Sequence, residues 1–269
     1  MPLTVPAHQV LVLPFMRGRR SPLPGVALLL GTALPDLAFV VGGYQANAIS
    51  HLWWGPLLFS PTLGVLLYAW IEALLLPALG NALPAHGRLP FARLCATRGL
   101  PGTLRGWAWT VSALVLGSYS HLFFDGWTHA SMWPARVLYP DAHVHIAGMG
   151  VMGFAHGLQS AFSAVASVIV LVWVHRALRA APVCAGAPRW RRGLSVLAAA
   201  TVAGAALGFV LGVVLLGWPR DSRELVLVVM SPVLLGAFVG ATLAAWRVRP
   251  RLLLLDDGGD AAAVTTDAG

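Results

Sequence analysis

The chain has 269 residues, of which 58% are hydrophobic and 10% charged, with a formal net charge of +8. A soluble domain carries about 25% charged residues, so this composition, with a mean hydropathy of +0.75, excludes an ordinary soluble protein and indicates an integral membrane protein. The basic excess is not a nucleic-acid signal, and no nucleic-acid partner is expected, because the arginines are segregated by loop as membrane topology requires.

Apolar runs of about 20 residues, the length that crosses a bilayer, fall near 23–42, 57–80, 107–130, 148–175, 194–217 and 224–246. Period-two alternation over about 10 residues, the mark of a membrane barrel, is absent. The expected fold is therefore an all-α polytopic helical bundle of about six transmembrane helices. Arg17, Arg19 and Arg20 precede the first span; Arg88, Arg93, Arg98 and Arg105 fill the second loop; Arg176, Arg179, Arg189, Arg191 and Arg192 fill the fourth; Arg247, Arg249 and Arg251 follow the last. With six spans all of these share one side, which places both termini in the cytoplasm. Residues 1–252 form one membrane-embedded helical domain, with candidate site residues in 1–175 and scaffold spans in 194–246. The polar end, 253–269, is expected to be disordered. Cys95 and Cys184 fall in expected cytoplasmic loops, where a structural disulfide is not expected. The first apolar run precedes the arginines and no small-residue cleavage site follows it, so a secretory signal is not expected either.

In chain order, His8 begins a segment to Met16 that is too short to span. As a half-helix it would carry His8 into the membrane towards Asp36; otherwise His8 is a cytoplasmic residue. The first span contains Leu34-Pro35-Asp36. Proline removes one backbone bond and frees the carbonyl of Gly31, and a carboxylate beside such a break is a candidate functional residue; the alternative is a kink with Asp36 solvated at the outer interface. His51, followed by Trp53 and Trp54, lies in the first outer loop, either as a solvated residue or as a ligand reaching down. Glu72, in the cytoplasmic half of the second span, reads as paired or snorkelling.

The third span ends in Ser120-His121-Leu122-Phe123-Phe124-Asp125-Gly126-Trp127-Thr128-His129. On a helix His121, Asp125 and His129 form one stripe, and Gly117 leaves room beside it. Two imidazoles and a carboxylate on one face can ligate a divalent metal such as zinc; a plain interfacial cluster would not explain Asp125 inside a span. His143 and His145 lie in the next loop and read as loop residues. His156, Gln159, Ser160 and Ser163 make a second polar face on the fourth span, expected to meet the first. At 1.5 Å per residue, Asp36 and His121 lie about 20 and 21 Å above the cytoplasmic starts of their spans. His156 lies about 12 Å below the outer surface, near the same level of a ~30 Å core.

Ala7-His8, Pro35-Asp36, Ser50-His51 and the Ser120–His129 motif resemble, in order and spacing over roughly 1–175, a bacterial family of uncharacterised multi-spanning membrane proteins. That family is in turn similar to putative inner-membrane metal-dependent hydrolases and, distantly, to zinc-dependent phospholipases C. The resemblance implies His8, Asp36, His51, His121 and Asp125 as ligands of a divalent metal, zinc by analogy, with His129 as the terminal His of the motif and a multi-pass location in the bacterial inner membrane. Leu52 stands where the more distant hydrolases usually have a small polar residue. The expected function is a metal-dependent hydrolase of a lipid or lipid-linked phosphoester, with an amphiphilic substrate and membrane lipids as partners, and with Asp36, His129 and His156 as catalytic candidates. Two alternatives stand beside it. One is a metal-independent acid/base isomerase or cyclase of an isoprenoid-like substrate, in which a buried Asp36 stays protonated in apolar surroundings. The other is a proton- or metal-linked transporter.

Overall fold

The computed structural model describes residues 5–16, 22–82, 99–146, 150–180, 193–219 and 225–256. Arginines 17–20, 88–98, 189–192, 220 and 223, both cysteines, Asp221, Glu224 and the tail from 257 lie outside the described residues. The fold is an all-α polytopic helical bundle. Its elements are α1 (Val5–Val10), α2 (Gly25–Ser50), α3 (Gly55–Gly80), α4 (Leu104–Thr128), α5 (Ala135–Leu138), a hairpin of β1 (His143–Ile146) and β2 (Gly150–Gly153), then α6 (Phe154–Ala180), α7 (Gly193–Leu216) and α8 (Ser231–Asp256). Five of these, α2, α3, α6, α7 and α8, are long and apolar enough to cross a membrane. The sixth expected span is α4, whose 25 residues make a helix of about 37 Å. It is less apolar because it carries Ser118, Ser120, His121 and Asp125.

Two helices depart from the regular form. α3 contains π turns at Ser60–Gly64 and Ile71–Leu75, and the second holds Glu72, which is buried rather than snorkelled to the surface. α2 is broken at Gly42 and Gly43, and Gly43 has φ 62° and ψ −151°, a conformation open essentially to glycine alone. The break reverses the chain. Asp36 and His51 would stand about 22 Å apart along a straight helix, yet their side chains meet at 3.8 Å.

α2 and α4 cross with their backbones in contact. A Cβ on Gly117 would lie 2.9 Å from the Gly31 Cα, and one on Gly31 would lie 3.0 Å from the Gly117 Cα, so only glycine permits this approach. Towards the starts of both helices an apolar cluster of Leu28, Leu34, Leu114, Tyr68 and Val12 fills the interior. α7 and α8 pack on each other by the same device, with Gly204 and Gly208 of α7 against Gly236, Gly240 and Pro232 of α8. This pair docks on α3 through Ala78, Leu197, Ala244 and Ala245 and through a hydrogen bond from Trp70 Nε1 to Thr242 Oγ1 (3.0 Å).

The chain differs from expectation in three places. The N-terminal segment is a helix at 5–10 followed by a 3-10 turn at Leu13–Met16, not a half-helix over 8–16. The fourth span begins at Phe154, because residues 150–153 pair with His143–Ile146 as a hairpin. His156 therefore lies in the first turn of α6, about 3 Å from its start, and not 12 Å down. The third difference is that α1 wedges between α4 and α6, its Ala7 packing with Phe124 and Ala166. The second polar face is thus only half turned inward: Gln159 and Ser163 are buried, His156 and Ser160 exposed.

Candidate metal centre

The site forms where the doubled-back end of α2 and the last turns of α4 close on α1. Pro35 determines its inner wall. The carbonyls of Gly31 and Thr32 near the proline turn towards α4, where Ser118 Oγ donates to Gly31 O (3.0 Å) and His121 Nδ1 donates to Thr32 O (2.7 Å). The carbonyl freed by Pro35 is thereby satisfied from the neighbouring helix, as a backbone group away from water must be. Ser50 Oγ lies 2.8 Å from both Pro35 O and Asn47 O, pinning the returning segment to the proline turn.

His51 follows the same rule as His121. Its Nδ1 donates to Asn47 O (2.8 Å). With Nδ1–H engaged on a carbonyl, the neutral ring presents an Nε2 lone pair, the arrangement that orients a metal-ligating histidine. Both lone pairs point at carboxylates. His121 Nε2 lies 3.0 Å from Asp125 Oδ2 and 3.8 Å from Asp36 Oδ1; His51 Nε2 lies 3.5 Å from Asp125 Oδ2 and 3.8 Å from Asp36 Oδ1. The 3.0 Å approach does not have the angle of a hydrogen bond, and His121 Nε2 is left without a hydrogen-bond partner. Lone pairs facing carboxylate oxygens repel unless a cation or proton lies between them.

Two histidines flank this set. The His8 ring stacks on His121 at 3.9 Å between centroids, and its Nε2 lies 3.7 Å from Asp125 Oδ1. His8 is buried. His129 leaves the helix in an extended conformation and brings Nδ1 to 3.4 Å from Asp125 Oδ1. Asp125 therefore faces His51 and His121 with one oxygen, and His8 and His129 with the other. Its Oδ1 and the His8 Nδ1 are buried without hydrogen-bond partners.

The described residues include two groups able to hold a metal ion, His8–His121–Asp125 and Asp36–His51–His121, with ligand atoms within 4.8 Å of one another in each. For tetrahedral coordination with bonds of 2.0–2.1 Å, ligand atoms lie about 3.3–3.4 Å apart. The four histidine–carboxylate separations among Asp36, His51, His121 and Asp125, 3.0–3.8 Å, bracket that value. The residues fit a divalent ion.

All five expected ligands come together, and His129 joins them. His156 does not; it lines a neighbouring cavity with His129, His143 and Gln159. Asp36 is not the buried acid that the acid/base alternative requires, since its side chain is 54% exposed. Sequence reasoning missed the supporting residues Thr32, Asn47 and Ser118, and gave Ser50 only as a neighbour of His51 in the motif. The only signal for them was small polar residues in otherwise apolar runs.

A family model described as a domain of unknown function (DUF4184) matches residues 1–246, and thus takes in the last two spans as well as the motif region. No curated protein and no solved structure matches the chain.

Proposed function

The chain belongs to the DUF4184 family, whose description carries no activity, and we propose from its site that it is a metal-dependent membrane hydrolase acting on a lipid or lipid-linked phosphoester in the bacterial inner membrane. One observation carries this reading: the imidazoles of His51 and His121, each fixed by a hydrogen bond from Nδ1, and the carboxylates of Asp36 and Asp125 converge at 3.0–3.8 Å. Zinc suits this nitrogen and oxygen set. An ion held there supplies Lewis acidity towards a phosphoryl oxygen and a water molecule.

The chain's own residues do the rest. Asp36 and His51 from α2, with His121 and Asp125 from α4, hold the ion. His8 closes the side towards α6. Asp36 stands on the exposed rim, which leaves an opening through which an amphiphile enters from the bilayer. Hydrolysis breaks the phosphorus–oxygen bond to the leaving group, and that oxygen needs a proton. His129, at the rim beside Asp125, is placed to deliver it, and His156 stands across the adjoining cavity.

The alternative acid/base reading is less well supported, because it needs a buried Asp36 and the side chain is 54% exposed. The apolar cluster of Leu28, Leu34 and Leu114 on the inner side of the site favours a catalytic centre over a transport pathway.

The test is metal content of detergent-purified protein together with phosphate-ester release from phospholipid nanodiscs, for wild type, Asp125→Ala and His121→Ala. Bound zinc and turnover in the wild type, both lost in the variants, support the proposal. A wild type that binds no divalent metal after incubation with zinc refutes it.

A further inference from the structure

Beside the metal centre lies a second feature that the ligand set does not use. A cavity of about 330 Å³ opens between the end of α4, the hairpin and the first turns of α6, lined by His129, Tyr139, His143, Phe154, His156 and Gln159 among others. Its volume is that of roughly eleven water molecules in the liquid, enough for a six-membered polyol ring. His129 belongs to both places, and its Nδ1 lies 3.4 Å from Asp125.

The chemistry of the walls is specific. No Asp, Glu, Lys or Arg side chain among the described residues lines the cavity, so a charged group of either sign would find no counter-charge there. What the walls offer are groups able both to give and to accept hydrogen bonds. Gln159 is only 5% exposed to the outside and lines the cavity wall, and its carboxamide carries both donors and an acceptor. His143 donates Nδ1–H to Asp141 O (2.7 Å), which leaves its Nε2 as an acceptor in the neutral ring. Tyr139 is held with its hydroxyl on Trp127 O and its ring edge-on to Phe154 at 4.9 Å, making one firm wall. The exposed Trp127 and Trp133 adjoin the cavity residues in sequence, and tryptophans collect at headgroup depth.

We propose that this cavity binds an uncharged polyhydroxylated group, such as a glycerol, cyclitol or sugar headgroup, as the portion of the substrate just beyond the scissile phosphoester. This rests on the hydrolase reading for its place in a reaction, but binding itself does not need turnover. Hydroxyls both donate and accept, and they match Gln159, His143 and His156 without requiring charge. Quaternary ammonium and doubly anionic phosphate do not.

The experiment is equilibrium dialysis of the full-length zinc-loaded protein with dihexanoyl phosphatidylinositol, phosphatidylglycerol, phosphatidylcholine and phosphatidic acid, repeated after chelation. The expected result is binding of the inositol and glycerol lipids about fivefold or more tighter than the other two. Gln159→Leu should remove about fivefold of that preference, the worth of one lost hydrogen bond, without changing the affinity for phosphatidylcholine. His143→Ala, at an exposed position that does not endanger folding, should do the same. Free myo-inositol binding as tightly as the lipid would mark a soluble polyol as the occupant, and binding at least tenfold weaker would mark a lipid headgroup. Equal affinity for all four lipids, or a preference that survives both substitutions, overturns the proposal. A preference that persists without metal or turnover leaves this subsite standing while the hydrolase reading falls; zinc-dependent turnover with no headgroup preference does the reverse.

Discussion

Gly117→Ala should weaken metal binding although Gly117 is a full turn below the nearest ligand. The added Cβ would lie 2.9 Å from the Gly31 Cα and from the Thr32 nitrogen, and it would also meet Leu28 O. Carbon–carbon contacts are comfortable at about 3.5–4.0 Å, so α2 and α4 must part by roughly 0.5–1 Å. The His121 Nδ1 to Thr32 O bond, 2.7 Å in the native chain, would open beyond the ~3.2 Å limit of a good hydrogen bond. Loss of such an orienting partner lowers metal affinity about 10–100-fold, and the overpacking costs about 1–3 kcal/mol of stability. The assay is zinc affinity by competition with a chromophoric chelator in detergent, run beside a thermal melt. Gly204→Ala is the control, because its Cβ would crowd the Gly240 Cα at 3.1 Å in the α7–α8 pair, away from the site. It should lower the melting temperature and leave zinc affinity unchanged. Wild-type zinc affinity in Gly117→Ala, or an equal loss in Gly204→Ala, would refute the reasoning.

Three further outcomes are expected. Asp125→Asn keeps the shape but not the charge that faces four imidazoles at 3.0–3.7 Å, and it should cut zinc affinity at least about 100-fold in the same competition assay; retained affinity would remove Asp125 from the ligand set. Gly43→Ala forces a side chain into a conformation that costs about 1–3 kcal/mol, and should displace His51, read as lost zinc affinity in protein that still purifies as a monodisperse species. Zinc affinity should fall as pH drops, by up to about tenfold per pH unit for each histidine that must release a proton to bind, and a flat titration between pH 8 and 5.5 would argue against imidazole ligands.

Spans and stripe were legible because both obey local rules. A run of twenty apolar residues and a four-residue spacing are properties of one segment, and the His121–Asp125–His129 stripe follows from helical periodicity alone. The Pro35 break indicated that the Gly31 carbonyl needed a donor, but not that Ser118 would be it, since that pairing depends on how α2 and α4 cross. The Gly42–Gly43 reversal looked like the end of a span, although the chain regains helix and brings His51 back to Asp36. The hairpin was hidden because apolar residues 150–153 continue without interruption into α6. The position of α1 was the least legible: six residues carry too little pattern to reveal that Ala7 is small enough to let His8 stack on His121 between two helices.

α2 with its capping residue His51, and α4, each contribute one imidazole and one carboxylate, so the candidate ligands are divided evenly across their crossing. The α2 half is complete once residues 25–51 are folded, before α4 has left the ribosome. The earliest membrane hairpin therefore already displays a two-point chelator, and the arrival of α4 turns it into a four-point clamp. An ion captured at that stage would cross-link two helices whose glycine contact has no side chains to interlock. An ion bound there would also act as an assembly factor: it would hold the α2–α4 register while the α7–α8 pair docks, and a chain loaded with zinc during synthesis would reach its final packing sooner than one supplied with zinc afterwards.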